Sequence, residues 1–142
     1  EGFAVFREFL QIKPDLHVAG QVRNGTTKGI DENALAAYNA PFPDDDHKQG
    51  VRQFPNLVPG TPRTPSAEPN KEAWKILREW EKPFLCAFSD KDPIFSGVEN
   101  SFYKLIPGCK DMPHVTIENA GHFLQEDQPN ACVEAILSIK DI

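Results

Sequence analysis

The five residues Phe84-Leu85-Cys86-Ala87-Phe88 constrain the fold of this chain more than any other stretch. They are apolar throughout, with no polar residue alternating between them, so a strand here must be covered on both faces, as in a parallel sheet. The polar turn Ser89-Asp90-Lys91-Asp92-Pro93 ends the run. A helical pattern over residues 98–105 follows and stops at Pro107-Gly108. Val115-Thr116-Ile117 reads as a second short strand, and a turn carrying Gly121 and His122 comes after it. The final helix starts near Asn130, with Ala131, Val133 or Glu134, Ile136, Leu137 and Ile139 carrying its apolar spacing. Strand, helix, strand, helix predicts an α/β fold with a parallel sheet and right-handed crossovers. Two strands are too few to cover such apolar runs, so the sheet is expected to be incomplete and the chain poorly stable by itself.

Upstream material has a different character. Gly2 to Gln11 sets Phe3, Phe6 and Phe9 or Leu10 at helical spacing, and Pro14-Asp15 closes that helix. Residues 16–22 show no clear period, and Asn24-Gly25-Thr26-Thr27 reads as a turn. Asp31 can cap a short helix to Tyr38. Ala40-Pro41-Phe42-Pro43 is extended or turning, because each proline restricts itself and the residue before it. Asp44, Asp45 and Asp46 offer cap chemistry to a helix over residues 47–54; without alternating oxygen ligands they read as a solvated helix start rather than a cation site. A proline-rich connection over residues 57–69 marks a boundary. Asn70 is the cap expected for a helix over residues 71–80, with Trp74, Leu77 and Ile76 or Trp80 on its apolar side.

Composition narrows the classes of function. A net charge of −6 argues against nucleic acid or an anionic membrane surface as the main partner. No apolar run approaches a membrane span. Cys86, Cys109 and Cys132 are odd in number and widely spaced, which suits free thiols in a reducing, cytoplasmic compartment better than a disulfide framework or a zinc site. The chain begins at Glu1 in what reads as mid-element, so an N-terminal part is expected to be missing.

The chemistry converges on two turns. Asp92 follows the first strand and His122 the second, and adjacent parallel strands bring their C-terminal turns together. A carboxylate that accepts the Nδ1 proton of histidine fixes its tautomer and stabilises its cation, leaving the other nitrogen to take a proton from water. Asp90 competes for the acid role two residues earlier. No Gly-x-Ser-x-Gly or Gly-x-Asp-x-Gly elbow occurs, so a nucleophile would lie upstream of Glu1.

Four stretches resemble the haloalkane dehalogenases of the α/β-hydrolase superfamily: Ala37-Tyr38-Asn39-Ala40-Pro41-Phe42-Pro43-Asp44; Gly50-Val51-Arg52-Gln53-Phe54-Pro55-Asn56-Leu57-Val58-Pro59; Trp80-Glu81-Lys82-Pro83-Phe84-Leu85 through Asp92-Pro93; and Ala120-Gly121-His122-Phe123-Leu124-Gln125-Glu126. The resemblance implies a C-terminal part of an α/β-hydrolase fold, with residues 1–60 from a mostly helical cap and 61–142 from the core. It implies a carboxylate nucleophile that displaces halide, an alkyl ester hydrolysed by water that His122 activates, and Asp92 as its supporting acid. A small apolar halogenated substrate would meet Phe3, Phe6, Phe54, Pro55, Val58, Ile94 and Phe95, with no metal or organic cofactor required.

One position departs from the family pattern. Phe6 aligns with a cap tryptophan whose indole N–H steadies the leaving halide, and a phenyl ring cannot donate. Loss of one such donor costs ~10²–10³ in rate where it resembles loss of an oxyanion-hole donor. An epoxide hydrolase would need cap tyrosines, and neither Tyr38 nor Tyr103 is well placed for that. An esterase of the same fold and a non-catalytic remnant complete the alternatives.

Overall fold

A computed structural model describes residues 2–139. The chain divides into two compact units, residues 2–23 with 31–73 and residues 24–30 with 74–139.

In the first unit, α1 (Gly2–Ile12) buries Leu10 and leaves Phe3, Phe6 and Phe9 partly exposed. Its last carbonyls lack partners within the helix, and Arg52 supplies them. Nη1 of Arg52 donates to Leu10 O at 2.7 Å and Lys13 O at 2.8 Å. Nη2 donates to Pro14 O at 3.2 Å and to Asp45 Oδ1 at 2.8 Å. The Gln11 amide in turn donates to Arg52 O.

Residues 16–22, without clear pattern in the sequence, belong mostly to a helix, α2 (Val18–Asn24). Its cap is His17, whose Nδ1 accepts from Gly20 N–H at 2.9 Å. A third helix, α3 (Glu32–Asn39), carries the expected cap: Asp31 Oδ1 accepts from Ala34 N–H at 2.8 Å.

The helix expected over residues 47–54 is broken. A 3₁₀ turn at Asp46–Lys48, α4 (Gln49–Gln53) and a 3₁₀ turn at Phe54–Leu57 replace it. Pro55 has no N–H to continue an α-helical ladder, so the chain tightens there. Asp44 meets His47 at the surface, accepting from its N–H at 3.2 Å and lying 2.6 Å from Nδ1.

Another correction concerns α5, which spans Ala67–Leu77 rather than starting at Asn70. Pro69 falls in the first turn, where a missing N–H costs no hydrogen bond, so the helix can begin earlier. The Ser66 hydroxyl ties its start to Leu57 O. Trp80 lies beyond the helix, after a 3₁₀-type tightening in which Trp80 N–H donates to Leu77 O.

In the second unit, β1 (Ala87–Ser89) pairs in parallel with β2 (Val115–Ile117), in the register Ala87 to Val115, Phe88 to Thr116 and Ser89 to Ile117. The strand is shorter than the apolar run predicts. The N–H of Cys86 goes to Nδ1 of His114 at 3.1 Å, and Nε2 of His114 donates to Cys109 O at 3.0 Å. An imidazole thus takes the place of the ladder bond that would extend β1.

The run is nonetheless covered on both sides. Phe84, Cys86 and Phe88 pack with Trp74, Leu77, Phe102, Ile106 and Cys109. Leu85 and Ala87 pack with Val115, Ile117, Leu124 and Ala135. Helix α6 (Glu99–Leu105) supplies Phe102 to the first cluster; α7 (Leu124–Asp127) and α8 (Pro129–Ser138) cover the other side. There Ile136 and Leu137 stay exposed, as does Ile139 beyond α8.

The three cysteines are free. Burial, and then the neighbouring Cys109, pushes the Cys86 thiol up to about 12, so it is a protonated packing group at neutral pH. No described helix is long and apolar enough to cross a membrane.

Arg52→Met should lower stability by about 2–4 kcal/mol, because three carbonyls lose a charged donor. Asp45→Asn should cost less than about 1 kcal/mol, as its carboxylate is largely exposed. Urea midpoints of the two variants measure the contrast. Equally small losses would mean that water replaces the guanidinium at the end of α1.

Candidate active site

The strand register builds the site. Beyond Ser89 and Ile117 the pairing continues, with Asp90 N–H donating to Ile117 O at 3.2 Å and Lys91 N–H to Ala120 O at 3.0 Å. Asp90 uses its side chain on the same seam: Oδ1 accepts from Ala120 N–H at 3.1 Å. That bond, together with one from Asn119 N–H, holds its carboxyl below the usual range. Asp90 therefore fastens the two turns together and does not face His122.

Asp92 does. Its Oδ2 lies 3.0 Å from Nδ1 of His122, and its Oδ1 accepts from Ile94 N–H at 2.7 Å. The second bond is an Asx-type turn that sets the carboxylate's direction. Asp92 is 7% exposed, while the His122 side chain keeps 29% of its surface. A buried carboxylate against one ring nitrogen fixes the tautomer and leaves Nε2 on the opposite side of the ring for proton transfer. Phe95 lies 5.5 Å from the imidazole and Phe123 meets it edge-on at 5.1 Å, centroid to centroid.

The turn that carries His122 depends on residues with no chemical signature of their own in the sequence. Asn119 has φ +56°, a left-handed conformation that asparagine tolerates, and this turns the chain out of β2. Asp127, at the end of α7, reaches back into the turn. Its Oδ2 accepts from Gly121 N–H at 2.8 Å, and its two oxygens also accept from Thr27 N–H at 3.0 and 2.8 Å and Lys28 N–H at 3.1 Å. Phe123 N–H donates to Gly25 O at 3.1 Å, and Thr27 Oγ1 to Asn119 O at 2.9 Å.

Burial of Asp127 would raise its pKa, but the N–H groups of Gly121, Thr27 and Lys28 outweigh that and hold the carboxyl below its usual range. In the sequence Asp127 looks like an ordinary acidic residue before a helix. Its partners at Thr27 and Lys28 are too distant for any local pattern to signal.

The remaining predicted residues fall in two places. Ile94 and Phe95 follow Asp92, and both are exposed. Phe3 and Phe6 lie on α1, Phe54 and Pro55 in the 3₁₀ turn and Val58 just past it, all in the first unit. Pro55 is buried there, and Phe54 is 73% exposed. Among the described residues no cluster of three or more His, Cys, Asp or Glu side chains could hold a metal ion.

Paired parallel strands that end in an aspartate turn and a histidine turn belong to an α/β-hydrolase fold. Comparison with known proteins agrees. The chain is 49% identical over 128 residues to the haloalkane dehalogenase of Psychrobacter cryohalolentis, covering 90% of this chain and 42% of that protein. It is 41% identical over 136 residues to that of Mycolicibacterium paratuberculosis, covering 96% of this chain and 45% of the relative. Among solved structures, the tetrameric haloalkane dehalogenase DpaA from Paraglaciecola agarilytica NO2 superposes with a TM-score of 0.85 at 27% identity, over 100% of this chain and 48% of DpaA. No protein-family model matches. The chain is thus a partial, C-terminal match to the haloalkane dehalogenases, and it spans less than half the length of the curated relatives it matches.

Close approach in the His122 turn gives a test of its packing. A Cβ on Gly121 would lie 2.5 Å from Gly25 O, a backbone atom that cannot swing aside. Gly121→Ala should cost about 1–3 kcal/mol, as overpacking does. Gly50→Ala, with nothing within 4 Å of the new methyl, should be neutral or slightly stabilising. Urea unfolding compares them; a neutral Gly121→Ala would show that the turn is loosely packed.

Proposed function

We propose that this segment supplies the base and its supporting acid for hydrolytic dehalogenation of haloalkanes by a longer protein. The observation that carries the reading is the 3.0 Å contact between His122 Nδ1 and Asp92 Oδ2, in a chain 49% identical to a haloalkane dehalogenase. Residues 1–60 act as part of the cap and 61–142 as part of the core. The free cysteines suit a cytoplasmic location.

In the proposed reaction a carboxylate from upstream sequence attacks the halogen-bearing carbon. The carbon–halogen bond breaks, halide leaves with the electron pair, and an alkyl ester remains. Nε2 of His122 takes a proton from water as the water oxygen attacks the ester carbonyl carbon. The imidazolium, held by Asp92, returns that proton to the departing alcohol, and the carboxylic acid left behind gives up its own proton to solvent, which regenerates the carboxylate. Phe3, Phe6, Phe54, Pro55, Val58, Ile94 and Phe95 are the proposed substrate-contacting residues; apolar side chains favour a halocarbon and exclude bulk water from the displacement. Phe6 leaves the halide without an indole donor at that position.

The test is halide release from 1-haloalkanes and 1,2-dihaloalkanes by the longer protein. His122→Gln should release about one halide per enzyme and then stall, with the alkyl group visible in the intact mass and turnover down ~10²–10⁴-fold. Sustained turnover by His122→Gln at the parent rate would remove His122 from its role. Epoxide or ester turnover without halide release would overturn the whole reading.

A further inference from the structure

We propose that Asp127 is a positioning residue for His122, an inference that rests on the dehalogenase reading for its kinetic consequence but on geometry for its substance. His122 sits between two residues whose main-chain N–H groups are both committed. Gly121 donates to Asp127 Oδ2 and Phe123 to Gly25 O. Gly25 lies in a turn with no regular structure to hold it. What holds that turn is again Asp127, through the N–H groups of Thr27 and Lys28. The bonds therefore form a closed circuit through Gly121, Asp127, the 25–28 turn and Phe123, and the main chain of His122 joins two members of it. Lys28 Nζ closes a further link at 2.9 Å, to the main-chain carbonyl of Asp127.

The circuit allows little slack. A Cβ at Gly25 would meet the Phe123 ring at 2.6 Å, and one at Gly121 would meet Gly25 O at 2.5 Å. The Asp127 carboxylate accepts from the main-chain N–H groups of Gly121, Thr27 and Lys28 and is also hydrogen-bonded by the Thr27 side chain, so an anionic acceptor suits this set of donors and a group that turns its own N–H toward the main-chain donors does not. An asparagine would turn an N–H₂ toward one of those donors, leaving a buried N–H unsatisfied. The segment carrying His122 would then shift relative to Asp92, which is fixed separately by its own turn at Ile94.

A displacement of that kind affects proton transfer to water more than displacement of halide by an upstream carboxylate. In the longer protein, Asp127→Asn should leave the halide burst rate and kcat/KM close to parental and slow ester hydrolysis about 10–100-fold per active site, the scale of loss for a catalytic group misplaced by about 1 Å, so that kcat and KM fall together. Asp127→Glu keeps the charge and lengthens the arm by one methylene, so a smaller loss in the same step is expected even if the asparagine variant does not fold.

The second readout is the proton NMR signal of the His122 Nδ1–H, assigned by its loss in His122→Gln. It should shift or broaden in both folded variants. A merely structural role would reduce the number of active sites but leave the rate per site and the Nδ1–H signal unchanged, and that result would overturn the proposal. Should the parent release no halide, the dehalogenase reading fails while the Nδ1–H signal still decides whether Asp127 positions His122.

Discussion

A single buried carboxylate holds the turn on which the proposed chemistry depends. Asp127 is 3% exposed, and an isolated charge at that depth would be strongly unfavourable. It persists because Gly121, Thr27 and Lys28 present N–H groups to it, charge-assisted bonds that are stronger than neutral ones. The dependence is mutual. Without the carboxylate the buried N–H of Gly121 would lack its acceptor, and the bonds from Phe123 N–H to Gly25 O and from Thr27 Oγ1 to Asn119 O would be left to tie the 25–28 turn to the His122 turn. A residue with no direct contact to the imidazole thereby sets where its backbone lies.

The proposed acid and base reach each other by a short chain of local causes. Parallel pairing of three residues on each strand aligns the two strand ends. Asp90 carries the alignment past the strands by accepting from Ala120 N–H. Asp92 then points toward His122 because Ile94 N–H takes its other oxygen. Two carboxylates separated by one residue so perform different tasks: one fastens the seam, and the other meets the histidine.

Where local chemistry decides structure, the sequence was legible. Val115-Thr116-Ile117 is β-branched throughout and forms the strand expected of it. Asp31 caps α3 through a partner three residues away. The covered apolar run around Cys86 was also readable, since its two faces pack against different clusters. The failures have the opposite character. The strand begins late because the ring of His114, 28 residues away, takes the Cys86 N–H. Arg52 serves carbonyls as much as 42 residues upstream, and Asp127 serves amides up to 100 residues upstream. No window of adjacent residues carries such information. Of the candidate site, the two strand-end turns could be anticipated, while the circuit that holds one of them could not.

In the proposed reaction the water activated by His122 attacks an ester carbonyl and not the substrate carbon itself. A single turnover in H₂¹⁸O, with the longer protein in excess over a haloalkane, measures this directly. The alcohol should carry ordinary oxygen from the enzyme carboxylate, while the protein gains the label. An alcohol labelled with ¹⁸O in that first turnover would mean direct hydrolysis at carbon and would contradict the role assigned to the His122–Asp92 pair.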